Sequence, residues 1–432
     1  MATVKILNYE LAPSPATIFG CLLPAPWLGM LSGLLLAFGP ADGLPQRFAP
    51  LNLALTHMLV LGMLAPVMIG ALFQLMPVVA GQTVAAARWI APFVAMGSAA
   101  TAVCLAAGFL YGKPQAFAAA GVLAVVLFGA VILAFAFTAW RINVTDATTR
   151  TLRWIAMALF AVILCGVSLA GSFAGWWQID VPRWLNLHVA WGLLGWIAAL
   201  VAGVASTVVP MFWQTVRPVV WWQRSLPGAL YLPLVLALIP AFWDWVLPLS
   251  CLLVFTLSAI ALRVVSKAKR RFDPAWPLWL ACTASWMLAA LLTLVQHVAY
   301  TYPPAIWLTL PVDNFPWWIG VLALVGGAVL PVNAMLGKII PFLVFLHLRR
   351  QIPAGRRVPT MQAVLPPQRL QWQARMVLLA LALLLAVPLA PTSFAIAAGL
   401  AFAISQAMMG AFLMLALFRY RKELLAAMRK GT

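Results

Sequence analysis

Twelve apolar runs, separated by short polar or basic segments, dominate the chain. A helix that spans the hydrocarbon core of a bilayer needs about 20 predominantly apolar residues. The pattern therefore predicts an all-α integral membrane protein of about twelve transmembrane helices, which form a single polytopic membrane domain over residues 1–432. The predicted helices lie near residues 16–38, 52–79, 89–111, 115–140, 154–176, 185–213, 227–242, 245–265, 275–299, 316–347, 373–390 and 392–418. The seventh and eighth are short, and we expect a tight turn at Trp243-Asp244-Trp245 between them.

The distribution of basic residues predicts the orientation of these helices. Of the 27 lysines and arginines, 23 fall in segments on one side of the predicted bundle, and only Arg47, Lys113 and Arg183 fall on the other. Cytoplasmic loops of membrane proteins are enriched in lysine and arginine, so we predict that the basic side and both termini face the cytoplasm of a bacterial inner membrane. We expect no cleaved signal peptide, because the N-terminus has no clear basic and apolar regions before a cleavage site.

Composition supports a membrane protein and excludes a nucleic-acid partner. Charged residues make up 8% of the chain, whereas soluble domains carry about 25%. The net charge of +19 arises from the short basic loops, so topology explains it and the lipid bilayer is the first predicted partner. The five cysteines all lie in apolar runs without a C-x-x-C spacing, and we interpret them as buried apolar residues.

Three predicted helices, the second, sixth and tenth, share a pattern of small residues and proline. The matching positions lie 133 and then 131 residues apart, and each pattern ends in a similar phrase, LMPVV, VVPMF or IIPFL. A period of four helices predicts three pseudo-repeated four-helix units, at about 16–140, 154–265 and 275–418. The shared positions are Gly62, Gly70 and Pro77, then Gly195, Gly203 and Pro210, and then Gly326, Ala334 and Pro341.

Histidines are the strongest candidates for a functional site. His57, His188 and His297 fall at a similar depth on three predicted helices, on the side opposite the basic loops. Neutral imidazole nitrogens bind metal ions and haem iron, and two histidines on facing helices suffice for a haem. The alternative is that each is a hydrogen-bonded polar residue near the membrane interface. We interpret His347, beside Arg349 at the basic side, as solvated or facing phospholipid.

Other polar residues within the predicted helices are few. Asn333 and Lys338 lie on the tenth helix, where the lysine either extends to the basic side or lines a polar path with Asn333. Proton pumps and cation-coupled carriers usually place an aspartate or glutamate within the membrane. The near absence of carboxylates from the predicted helices weighs against both classes.

The second helix resembles a known family. The segment from His57 to Pro77, with the phrase GALFQLMP at Gly70–Pro77, is similar to helix II of the catalytic subunit of haem–copper oxidases and nitric oxide reductases. There a histidine of this helix holds the low-spin haem, and a similar phrase follows it. The twelve helices and the three four-helix arcs also match that fold, and His188 lies where its sixth helix carries a copper ligand.

The chain departs from this family at the oxygen-reducing centre. The seventh helix has no histidine, and the tenth has Trp317, Trp318 and Val321 where the family has an H-x-H pair. The resemblance therefore implies a stand-alone divergent relative that lacks the binuclear centre, similar to the NnrS-type proteins of nitrosative-stress and denitrification settings. It implies a non-covalent haem b held by His57, with His188 or His297 as a second ligand or second site, and copper as a further metal.

Three functions follow as hypotheses. The first is a haem-binding, redox, nitric-oxide-related or metal-handling membrane protein, whose partners would be an electron donor or subunits of respiratory or denitrification complexes. The second is a cofactor-free transporter whose polar path uses Asn333, Lys338 and the outer histidines. The third is an assembly factor for respiratory complexes. The sequence does not decide whether the chain is an enzyme.

Overall fold

The chain folds into long apolar helices that are consistent with an integral membrane protein. A computed structural model describes residues 9–301, 311–352 and 357–429, and these ranges contain helices and no strand. Eleven helices in them are long and apolar enough to cross a membrane. The prediction of a multi-pass, all-helical transmembrane protein is confirmed at this level.

Twelve helices, named α1–α12, correspond to the twelve predicted segments. Their bounds are α1 Pro15–Phe38, α2 Pro50–Ala80, α3 Ala87–Tyr111, α4 Pro114–Ala139, α5 Ala147–Phe173 and α6 Val181–Trp213. The second half comprises α7 Gly228–Leu236, α8 Pro240–Ser266, α9 Trp276–Thr301, α10 Val312–Gln351, α11 Pro367–Leu389 and α12 Pro391–Arg429. Two shorter helices, Val220–Ser225 and Met361–Val364, precede α7 and α11.

The seventh helix differs from its prediction. It spans 9 residues, about 14 Å, which is half of a bilayer core of about 30 Å. The expected turn at Trp243-Asp244-Trp245 is also misplaced: the turn comes earlier, at residues 237–239, and Trp243 opens the α-helical part of α8. Pro240 explains the shift, since a proline fits the first turn of a helix, where its missing N–H is not needed.

The short α7 nevertheless belongs to a segment that crosses the bundle. The amide of Arg270, just after α8, donates to the carbonyl of Trp213 at the end of α6 (3.3 Å). At the other end of the bundle, the Arg183 guanidinium near the start of α6 lies 5.3 Å from the Trp243 ring near the start of α8. Because α6 and α8 therefore run parallel, residues 214–239 must return from one end of the bundle to the other.

The first and last helices are neighbours and close the bundle. Gly33 of α1 faces the backbone of Gly399 and Ala403 of α12, so closely that an added Cβ at Gly33 would lie 2.6 Å from the Gly399 carbonyl oxygen. Small residues allow such close approach of membrane helices. The α1 helix runs antiparallel to α2, because Gly62 faces Leu28 and Gly70 faces Cys21.

Both ends of the described chain lie at one end of the bundle. The start of α1 lies beside the end of α2, and the Tyr420 hydroxyl near the end of α12 donates to Gln351 at the end of α10 (3.3 Å). We call the end at which α2, α6 and α10 terminate the basic end, and the other the opposite end. The placement of the basic end in the cytoplasm stays a prediction.

Each of α2, α6 and α10 contains a π-helical segment. The three segments, Met58–Leu64, Trp191–Ala198 and Leu322–Val329, begin 133 and then 131 residues apart. The segment of α10 packs against those of α2 and α6. Each helix then continues to the basic end through an internal proline, Pro77, Pro210 or Pro341. The three helices thus meet in the middle of the bundle at the level of their π-helical segments.

The outer surface of the bundle is apolar. On α4, for example, Val126 is 69%, Leu133 72% and Phe137 57% exposed. A contiguous face of such residues is unusual on a soluble monomer and is suited to lipid. Inside the bundle all five cysteines are free thiols, and Cys104 alone is only half-buried, which agrees with their interpretation as apolar packing residues.

Candidate functional site

His57 lies where the first, α-helical part of α2 gives way to its π-helical segment. Its Nδ1 lies 2.8 Å from the carbonyl oxygen of Leu53, one turn earlier. A carbonyl only accepts hydrogen bonds, so Nδ1 carries the proton and donates. The lone pair is therefore on Nε2, and this nitrogen is the metal-binding atom of the ring.

His188 has the same arrangement on a different helix. It belongs to the first turns of α6, and its Nδ1 lies 3.0 Å from the carbonyl oxygen of Val162 on α5. Nδ1 is again the donor and Nε2 the free nitrogen. A backbone hydrogen bond of this kind fixes the tautomer and the ring orientation of many metal-binding histidines.

The structure brings these two histidines together. The ring centroids of His57 and His188 are 6.4 Å apart, and the ring planes differ by 9°. Two imidazoles that bind one metal ion from opposite sides, each nitrogen at about 2.0–2.1 Å from it, have centroids roughly 6 Å apart. The separation of the two ring centroids therefore matches that of two nitrogen ligands on opposite sides of one metal ion.

The pair lies among aromatic side chains and a closely packed glycine. The Phe109 ring of α3 lies 5.2 Å from the His57 ring, and it also contacts Phe117 of α4 and Phe173 of α5. On the other side, a Cβ added at Gly166 of α5 would lie 3.0 Å from Cε1 of His188. The absence of a side chain at residue 166 is what lets the His188 ring pack against α5.

His297 does not join this pair. It is half-buried on α9, and its backbone carbonyl accepts the hydroxyl of Thr301 (2.8 Å). Across the part of the chain that the structure describes, no three histidine, cysteine, aspartate or glutamate side chains form a group that could hold a metal ion. Of the three predicted histidines, the structure thus assembles two.

His347 corrects one expectation. We expected a solvated or phospholipid-facing side chain, but it is 5% exposed and its Nε2 has no hydrogen-bond partner. Although it lies only two residues from Arg349, α10 turns this position towards the interior. The position near a helix end did not reveal that the ring points inwards.

The two residues of the predicted polar path have separate partners. Asn333 is buried, donates to the Val329 carbonyl (3.0 Å) and accepts from the Gln373 amide of α11 (3.0 Å). Lys338 forms an ion pair with Asp273, in the connection between α8 and α9, and its Nζ lies 5.8 Å from the Trp213 ring centroid. Both side chains therefore join helices to their neighbours, which gives the transporter hypothesis no support.

Sequence reasoning missed Asp273 and Gln373. Asp273 follows the basic run Lys267–Arg271, a segment that the charge pattern assigns to topology alone. A single carboxylate in a basic loop was the available signal for an ion pair. For Gln373, which is 1% exposed, a polar residue at the first position of the predicted eleventh helix was the signal.

Comparison of the chain with protein-family models finds no match, and no curated protein matches it. The resemblance of the second helix to haem–copper oxidases therefore stays a prediction. The proposed function therefore rests on the geometry of His57 and His188.

Proposed function

We propose that the chain is a membrane protein that binds one non-covalent haem b, with His57 and His188 as its two axial ligands. The observation that carries the proposal is the geometry of the pair, with ring centroids 6.4 Å apart and planes within 9°. Each ring has its Nδ1 hydrogen-bonded to a backbone carbonyl, so both have the Nε2 lone pair that iron requires.

The chemistry of the donor set fits haem. Two neutral nitrogens bind iron without adding charge, and no described carboxylate or thiol completes a closed zinc shell beside them. The apolar rings of Phe109, Phe117 and Phe173 supply surroundings suited to a porphyrin. A haem with both axial positions filled by histidine supplies one-electron transfer, and an electron carrier is therefore the role we favour within the haem-binding class.

The internal repeat supports the proposed relation to the haem–copper-oxidase fold. The π-helical segments of α2, α6 and α10 begin at the same spacings, 133 and 131, as the shared glycines and prolines. We therefore propose three four-helix units, at about 16–140, 154–265 and 275–418, without a binuclear centre. In this proposal, the two ligands come from the second helices of the first and second units.

The proposed setting is the bacterial inner membrane, with the basic end in the cytoplasm. The histidine pair then lies in the outer half of the membrane, because it precedes the π-helical segments. An electron donor or a subunit of a respiratory or denitrification complex is the class of partner that such a carrier requires.

The test is the absorption spectrum of the full chain, purified in mild detergent from haem-replete cells. We expect a Soret band, and no change on adding carbon monoxide to the reduced protein, because both axial positions are filled. His57→Ala and His188→Ala should each lose the band or become carbon-monoxide-reactive. His297→Ala is the matched control and should retain the wild-type spectrum, with size-exclusion profiles confirming that all variants fold.

Two results would overturn the proposal. A wild-type preparation without a Soret band and without copper would remove the metal-binding function altogether. One copper per chain without a Soret band would assign the same pair to copper, which two nitrogen ligands also suit.

A further inference from the structure

A recess lies at the basic end of the bundle, between α10, α12 and the short helix Met361–Val364. Its volume is about 230 Å³. Val344, in its wall, stands at the repeat spacings from Ala80 and Trp213, the last residues of α2 and α6. The recess therefore begins at the level where these two helices end, and it continues along the part of α10 that extends beyond them.

The lining of the recess divides into an apolar part and a charged part. A phospholipid has the same division, because its charged phosphate group adjoins the first methylene groups of its acyl chains. A soluble anion has no apolar portion to match the first part. The apolar part includes Val344 and Leu348 of α10 and Val364, and the charged part consists of Arg419, Lys422 and Glu423 of α12.

The exposed face of α12 locates the recess at the level of lipid headgroups. Ile404, Met414 and Phe418 are exposed apolar side chains on this helix. The next exposed residues, Arg421 and Lys422, are basic. A change from apolar to basic side chains within one turn is typical of the boundary between the hydrocarbon core and the headgroups. Lys422 lies on the headgroup side of this boundary and also lines the recess.

Arg419 and Lys422 both have hydrogen-bond donors available for an anion. The Nη1 of Arg419 donates to the backbone carbonyls of Ala363 and Val364, which holds the guanidinium at the recess. These contacts use one of its two terminal nitrogens, and Nη2 has no partner among the described residues. The Lys422 ammonium likewise has no described carboxylate or carbonyl partner. Such groups bind phosphate oxygens through charge-assisted hydrogen bonds.

The charge of the surrounding chain favours an anionic ligand. Between residues 344 and 429, Glu423 is the only residue with a carboxylate side chain, against ten lysines and arginines. Basic pockets between transmembrane helices at a membrane surface bind the headgroups of anionic lipids. Glu423, which also lines the recess, only accepts hydrogen bonds when ionised. It therefore favours a headgroup that carries hydroxyl groups beside its phosphate.

We propose that this recess binds one anionic phospholipid with a glycerol headgroup, of the phosphatidylglycerol type. The phosphate would accept hydrogen bonds from Arg419 and Lys422, and the glycerol hydroxyls would donate to Glu423. The first methylene groups of the acyl chains would contact the apolar part of the lining. The recess lies at the basic end, beyond the π-helical segments from His57 and His188, so the proposal does not rest on haem.

The test is native mass spectrometry of the full chain in detergent, titrated with phosphatidylglycerol or with phosphatidylethanolamine of the same acyl chains. We expect one saturable phosphatidylglycerol adduct, about 5-fold or more tighter than that of the zwitterionic lipid, because basic residues attract net negative charge. Lys422→Gln should weaken it by about 10-fold, the value of one hydrogen bond between charged groups. Arg421→Gln is the matched control, because Arg421 is exposed on the same helix but does not line the recess, and it should change the affinity by less than about 2-fold.

Ala363→Phe provides a second variant that keeps every charge, because Ala363 is an exposed residue of the wall and a larger side chain there would occupy the recess. It should abolish the adduct, whereas Gln362→Phe, exposed on the same short helix outside the lining, should retain it. An unchanged thermal midpoint shows that each variant folds.

Four results would overturn the proposal. They are the absence of a saturable phosphatidylglycerol adduct, equal affinity for the two lipids, equal losses in Lys422→Gln and Arg421→Gln, and an adduct that persists in Ala363→Phe. Displacement of the lipid by millimolar inorganic phosphate would also contradict it, since that result would assign the recess to a soluble anion.

Discussion

Gly166 of α5 and His188 of α6 show how one missing side chain positions a candidate ligand. The His188 ring occupies the space that a side chain at residue 166 would fill, and its Nδ1 reaches the Val162 carbonyl on the same helix. A glycine in a membrane helix is usually read as a site of backbone packing. Here the nearest neighbour is an imidazole ring, which gives the glycine a role in the site.

Gly166→Val should therefore displace the His188 ring from α5. Support of this kind around a metal ligand is worth roughly 10- to 100-fold in metal affinity, so we expect haem content per chain to fall by about 10-fold or more. Gly129→Val is the matched control, because nothing lies within 4 Å of a Cβ at Gly129 on α4. Pyridine haemochrome analysis of both variants checks this, and equal haem contents would contradict it.

Among the elements, α10 is joined to its neighbours by polar contacts as well as by apolar packing. Asn333 joins it to α11 through Gln373, and Lys338 joins it to the connection before α9 through Asp273. Polar groups at membrane depth need such partners because lipid offers none. Removing one member of a pair leaves the other buried and unsatisfied.

Lys338→Met should destabilise the chain, because the Asp273 carboxylate loses its counterion. The two side chains are 16% and 12% exposed, and breaking a buried pair costs about 3 kcal/mol. Asp273→Asn combined with Lys338→Met should restore most of this loss, and Lys338→Arg should retain the pair. SDS-induced unfolding of the wild type, Lys338→Met, Asp273→Asn and the double variant forms a double-mutant cycle, in which additive effects would show that the two residues are not coupled.

At the scale of the whole molecule, the distribution of basic residues and the connections between helices both place the two ends of the chain at one end of the bundle. The start of α1 and the end of α12 lie at one end of the bundle, and most of the basic residues are predicted to lie there. The short α7 does not change the side on which the following helices begin, because residues 214–239 still return across the bundle. The number of crossings is therefore even, although only eleven helices in the described part of the chain are long enough to span a bilayer.

Labelling of single cysteines tests the orientation, in a background without the five native cysteines. Asp180 and Lys269 are both exposed and lie at opposite ends of the bundle. A membrane-impermeant maleimide should label Asp180→Cys in intact cells and Lys269→Cys only after lysis, because the basic end is predicted to be cytoplasmic. The reverse pattern would invert the topology and place the histidine pair in the inner half of the membrane.

The sequence predicted well those elements whose position depends on the local sequence alone. The positions of α3, α4 and α9 were readable within a few residues, because a long apolar run has only one stable conformation across a bilayer. The run that contains α7 was misjudged, because its apolar residues fit a spanning helix while Pro240 divides the run early. The inward orientation of His347 depended on neighbouring helices and had no local signal.

The sequence by itself determined the membrane class, the approximate bounds of most helices, and the three histidines worth considering. These depend on hydropathy, charge and residue type, which are local properties. Only the tertiary structure decided that His57 and His188 approach each other while His297 stays apart, and that Lys338 faces Asp273. Contacts between distant helices depend on how each helix is rotated about its axis and how deep it lies in the membrane. An apolar run does not specify either, because its side chains are equally suited to lipid and to the protein interior.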